Sequence, residues 1–159
     1  MTTIRPISQE DHEWAHRLLT EAWGSTQVVS RGVLHHVMEL PGFVAEHEGN
    51  RVGLLTYHIN GLACELVTIN SLVRGLGVAT SLIETLKSTA REAGCQRVWL
   101  VTTNDNMHAL RFYQKRGFQL IAFHRDAVTD SRKLKPQIPA RGLDDIPIEH
   151  ELELELRLL

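Results

Sequence analysis

Arg74-Gly75-Leu76-Gly77-Val78-Ala79 is the stretch on which the fold turns. Before it lies Leu66-Val67-Thr68-Ile69, short, apolar and β-branched, which predicts a buried strand. After it, Val78, Leu82, Leu86, Ala90 and Ala93 recur at helical spacing, and Gly94 marks an end. The glycines therefore fall where a strand turns into a helix. Such a turn offers free backbone N–H groups and the positive end of a helix dipole. Its natural guest is a phosphate or pyrophosphate. A plain glycine turn is the other reading of a lone Gly-x-Gly.

Two phosphate-binding classes do not fit. A P-loop needs Lys-Ser or Lys-Thr after its last glycine, where Val78-Ala79 stands. A dinucleotide fingerprint needs a third glycine, and Thr80 occupies that position. Downstream, a second apolar strand at Val98 to Thr102 leads into Asn106-Met-His-Ala109-Leu-Arg-Phe-Tyr113-Gln-Lys-Arg-Gly117-Phe118. Arg-x-x-Gly-x-Ala, a helix, a strand and Asn-x-x-Ala-x-x-x-Tyr-x-x-x-Gly-Phe, in that order, resemble the GNAT superfamily of acyl-CoA-dependent N-acyltransferases. The motifs cover residues 65–120, and the element order extends the resemblance over nearly the whole chain. Ala79 in place of glycine is within the family pattern. Ser71 stands where many members have proline.

The resemblance implies an α+β, GNAT-like acyl-CoA N-acyltransferase fold, with a central, mostly antiparallel sheet splayed at its middle and flanked by helices. It implies a single domain over residues 1–159. Acetyl-CoA is then the co-substrate, with no metal, and a primary amine attacks it directly. The strand end Val67, Thr68 and Ile69 pairs with the pantetheine arm. The N–H groups of Gly75, Leu76, Gly77, Val78, Ala79 and Thr80 meet the pyrophosphate, and Arg74 adds charge. Asn106 hydrogen-bonds the arm, caps its helix, or does both. Tyr113 is the general acid. Glu65 is a candidate base, with His58 and His108 as the others. The early helical region flanks the acceptor, with Trp23, Val28, Val29 and Arg31 as candidate contacts. A non-catalytic acyl-CoA-binding sensor or scaffold is the alternative function.

Composition bounds these readings. A chain of 159 residues fits one domain with a real core. At 43% hydrophobic and 23% charged it reads as globular. A formal charge of −2 argues against a general nucleic-acid binder. No apolar run approaches the roughly 18 residues of a membrane span, and the N-terminus has no apolar signal core. A cytoplasmic protein without nucleic-acid or membrane partners is the expectation, and a homodimer stays open. Cys64 and Cys95 read as reduced structural thiols. His12 and His16 share a predicted helix face without a third ligand and read as exposed.

Along the chain, Thr3 to Pro6 predicts a first strand, confined to an end or edge by its proline. Ser8 reads as an N-cap, with Asp11 near the dipole's positive end. Trp14, Leu18, Leu19, Ala22 and Trp23 give a helix that Gly24 breaks. Val33, Val37 and Leu40 predict a second short helix, closed by Pro41-Gly42. Phe43 to His47, Val52 to Ile59 and Leu62 to Ile69 predict three antiparallel strands joined by Glu48-Gly49-Asn50 and Asn60-Gly61. Asn104 or Asp105 is expected to cap the helix that carries Tyr113. Residues 126–148 read as an irregular connection, a lid or an oligomer contact. Glu149 to Leu158 alternates as a half-buried strand with a solvated glutamate face.

Overall fold

The computed structural model of the chain describes residues 1–158. Its contacts divide into two compact units. The first comprises Met1–Thr26, His36–Val98, Arg157 and Leu158. The second comprises Gln27–His35 and Trp99–Leu156.

The first unit is an antiparallel meander with two helices. Strands β1 (Thr2–Pro6), β4 (Gly42–His47), β5 (Asn50–Asn60) and β6 (Ala63–Ser71) lie side by side in that order. Pro6 therefore sits at the end of a strand with no neighbour on its outer side within this unit. The Glu48-Gly49 turn falls where the sequence puts it, but the second two-residue loop is Gly61-Leu62 and not Asn60-Gly61, because Asn60 still pairs with Ala63 at the end of β5. Helix α1 (His12–Trp23) ends at Gly24, which is left-handed at φ 78°. Helix α2 (Val78–Glu92) buries Val78, Leu82, Ile83, Leu86 and Ala90, while Ala93 is its exposed C-cap. It packs on β4, β5 and β6. Close approach there depends on Gly53, where an added Cβ would lie 2.5 Å from Val78 Cγ1 and 3.2 Å from Leu82 Cδ1.

The second unit holds most of β7 (Arg97–Thr103) and of β9 (Glu151–Arg157) and all of β8 (Gln119–His124), in the order β7, β9, β8. It also holds α3 (Met107–Lys115) and α4 (Ala127–Leu134). Here three expectations fail. The helix expected at Val33 to Leu40 is instead strand β3 (Val33–His36) and a single 3-10 turn at Val37–Glu39. Strand β3 pairs with β2 (Gln27–Ser30), and the turn between them puts Arg31 and Gly32 at positive φ. Val28, Val29 and Val33 are β-branched and favour the strand that three-residue spacing does not reveal. Second, residues 126–148 are not wholly irregular, because α4 fills their first third and packs on β2. Third, the glutamate face of β9 is not uniformly solvated. Glu151 is buried and pairs with Arg31 at 3.0 Å, and Glu153 meets His124 at 2.9 Å. Among the described residues no helix is long and apolar enough to cross a membrane. Cys64 and Cys95 are free and buried, and His12 and His16 are exposed.

Asp11 does more than complement a dipole. Its side chain is 0% exposed. It accepts from Arg5 at 2.7 and 2.8 Å, from Arg51 at 2.8 Å and from the Ser8 N–H at 2.8 Å. Arg5 also pairs with Glu46 on β4. The cluster thus ties β1, β4 and β5 to the start of α1. The Arg5 hydrogen bonds hold the Asp11 carboxyl well below the usual carboxylate range, against the opposing effect of burial. A depressed folded-state pKa adds stability above the unfolded value of about 4 and loses it as pH falls further. Asp11→Asn should therefore cost roughly 2–4 kcal/mol at pH 7. Urea unfolding at pH 7 and pH 3 checks this, because the difference between parent and variant should shrink at the lower pH.

Candidate functional site

The first unit supplies a strand, a turn and a helix start. Strands β5 and β6 pair with Thr56 opposite Thr68, then Tyr57 opposite Leu66. Val67 is the extra residue of β6 and forms a bulge, which withdraws it from the ladder and bends the strand. The hydroxyls of Thr56 and Thr68, both buried, lie 2.6 Å apart and pin the register on one side of the bulge. On the other side His58 stands opposite Glu65. Glu65 is 4% exposed, whereas His58 is exposed.

Beyond Ser71 the chain runs through four exposed residues, Arg74 to Gly77, into α2. Gly75 and Gly77 have φ of 81° and 64°, a conformation that favours glycine. A Cβ at either would meet nothing within 4 Å, so the space beside the turn is open. Gly77 is the N-cap of α2, where no side chain caps the helix and no acidic residue enters the first turn. The dipole's positive end is thus left without a compensating carboxylate. Val78 is buried in the core, so its side chain faces away from that space, while Ala79 and Thr80 are half-buried.

In the second unit, Asn106 is the N-cap of α3, and its Oδ1 accepts the Ala109 N–H at 3.0 Å. The cap is therefore neither Asn104 nor Asp105. Asn104 Oδ1 accepts from the backbone of Glu149 and His150, at 2.9 and 3.0 Å. Asp105 is buried, takes the Thr103 hydroxyl, and accepts the Leu143 N–H at 3.0 Å. Tyr113 is 7% exposed, with Phe112 and Phe118 edge-on at centroid distances of 5.3 and 5.5 Å. Burial pushes its phenol above the ordinary value, so it is protonated throughout the neutral range. His108 is exposed.

Of the expected acceptor contacts, Trp23 belongs to the first unit and Val28, Val29 and Arg31 to the second. Trp23 is exposed at the end of α1, Val28 and Val29 are half-buried in β2, and Arg31 is engaged by Glu151. Sequence reading passed over Lys135, which is buried and donates to the Gln27 carbonyl at 2.7 Å. Burial lowers its pKa. Only the packing of α4 on β2 brings those segments together, so no local pattern announces it.

The sequence signature of the Acetyltransferase (GNAT) family matches residues 5–118. The uncharacterized protein YxbD of Bacillus subtilis (strain 168) is 38% identical over 152 residues, which cover 95% of this chain and 96% of that protein. Among solved structures, the IAA acetyltransferase from Bacillus cereus ATCC 14579 superposes with a TM-score of 0.74 at 19% identity, covering 99% of each chain. A GNAT family acetyltransferase from Elizabethkingia anophelis, with acetyl-CoA bound, gives 0.70 at 14% identity, covering 98% of this chain and 97% of that one. The α+β acyltransferase fold is that of these structures, and the chain belongs to the GNAT family of acetyltransferases.

Proposed function

We propose that this chain transfers the acetyl group of acetyl-CoA to a primary amine by direct attack, without a covalent enzyme intermediate. The observation that carries the reading is the exposed, uncapped helix start behind Gly75 and Gly77, at the end of a bulged strand. That combination suits a ligand with a pyrophosphate and an extended amide arm. The Elizabethkingia relative, which holds acetyl-CoA, supports the choice of donor.

In this reading the donor supplies an activated acetyl thioester, and the chain's residues do the rest. The N–H groups from Gly75 to Thr80 hold the pyrophosphate, with Arg74 beside them. The backbone of Val67, Thr68 and Ile69 pairs with the arm, and an N–H near the bulge polarises the thioester carbonyl. Glu65, the buried one of the three candidate bases, takes the ammonium proton directly or through water. Tyr113, protonated, returns a proton to the departing thiolate. Asn106 keeps its cap and offers its amide to the arm. Burial, with smaller contributions from Cys95 and Glu65, pushes the Cys64 thiol up to about 12. It is therefore a poor nucleophile at neutral pH, which favours direct attack over an acyl-cysteine.

Two variants test the parts separately. Gly77→Asp forces an L-residue into a positive φ and puts a carboxylate at the phosphate site. Calorimetry should show a loss of CoA affinity of at least about tenfold in a folded protein. Unchanged affinity would remove the turn from the donor site. Tyr113→Phe keeps the ring packing and deletes the proton. Single-turnover transfer at saturating donor should slow by about 10²–10⁴-fold with little change in CoA affinity. A rate within about twofold of the parent would assign the proton to water or another group.

A further inference from the structure

Asn70 carries a polar side chain that the fold leaves unused. It lies on β6 between Ile69 and the glycine turn. Its backbone stands in the ladder opposite Leu54, so its side chain shares a face with Leu54 and Thr68. Asn70 is half-buried, and its Oδ1 is closed off from solvent with no hydrogen-bond partner among the described residues. The neighbours account for this. Leu54 is fully buried and apolar. The Thr68 hydroxyl is taken up by Thr56 at 2.6 Å. Ser71, on the other face, donates its hydroxyl to the Val73 carbonyl at 3.0 Å.

A carbonyl oxygen buried without a partner loses its hydration and gains nothing in return, so native chains rarely keep one. Asparagine is also a poor strand residue, and leucine would fill a similar volume. Neither packing nor propensity therefore explains an amide at this position. A local choice that works against the fold marks a site kept for another purpose.

The chemistry of the side chain narrows that purpose. An amide donates and accepts together, which matches a second amide. A pyrophosphate only accepts, and the backbone N–H groups of the turn already suit it. The buried carbonyl has no bond to break. The terminal torsion of asparagine is broad and roughly two-fold, so the amide can turn over in place and present either end outward.

We propose that the Asn70 side chain binds an amide of the donor's extended arm, beside the Val67 to Ile69 backbone that pairs with the same arm. The inference rests on the donor reading above. It adds a side chain that distinguishes an arm-bearing donor from a plain nucleotide.

The probes are CoA and ADP, which carries the pyrophosphate without the arm, each titrated calorimetrically into the full chain. Asn70→Leu removes the amide, and Asn70→Ala is a second variant that adds no bulk. In each folded variant CoA affinity should fall about fivefold while ADP affinity stays within about twofold of the parent. An unchanged ratio of CoA to ADP affinity overturns the proposal, whether the variants are less stable or not. Equal losses for both ligands overturn it too, because the contact would then not be with the arm. A parent chain that does not bind CoA at all overturns the donor reading and this inference with it. A parent that binds CoA, with variants that bind it equally well, overturns this inference alone.

Discussion

The register of β5 against β6 is the constraint on which the rest of the first unit depends. One buried hydroxyl pair, Thr56 with Thr68, fixes it on one side of Val67. On the other side the ladder resumes one residue out of step, with Tyr57 opposite Leu66 and His58 opposite Glu65. A bulge bends a strand locally and frees its backbone from the ladder. Four residues beyond the bulge β6 ends, and two glycines at positive φ turn the chain into α2. The same strand thus carries a buried carboxylate, an unpaired residue and the approach to an uncapped helix start. Gly53 lets α2 lie close against β5, so its first buried residue, Val78, anchors the turn in place.

Charge is used sparingly inside the chain, and three of its buried carboxylates have close hydrogen-bond partners. Asp11 is wrapped by two arginines and a backbone N–H, and it joins three strands to the first helix. Glu151 is buried against Arg31, and Asp105 accepts from a backbone N–H and a hydroxyl. Breaking such a group leaves its partners without compensation, which costs more than the pairing itself contributes. Glu65 belongs to this buried set, on the strand that the proposed chemistry uses.

The elements legible in the sequence were those whose pattern and punctuation agree. The stripe Val78, Leu82, Leu86 and Ala90 has helical spacing and a glycine at each end, and it forms α2. The Glu48-Gly49 turn and Gly61, one residue out of the expected register in a Gly61-Leu62 loop, likewise mark the limits of three strands of the first unit. The segment from Val33 to Leu40 misleads because apolar residues three and four apart are compatible with a helix. The β-branched pair Val28-Val29 and the turn at Arg31-Gly32 make a hairpin instead. Buried polar partners escaped altogether. Lys135 with Gln27 and Arg31 with Glu151 are each separated by more than 100 residues, and no local pattern encodes them. The glycine turn could be read as a candidate ligand site because the role proposed for it depends on backbone, which two glycines disclose directly.

The central claim is that β6 and the turn behind it hold the donor through their backbone. The most direct measurement is amide hydrogen exchange and amide chemical shift, residue by residue, during a titration with CoA. The account predicts that the N–H groups from Val67 to Ile69 and from Gly75 to Thr80 shift and gain protection together, at one common affinity. CoA binding that leaves both stretches unchanged would contradict it.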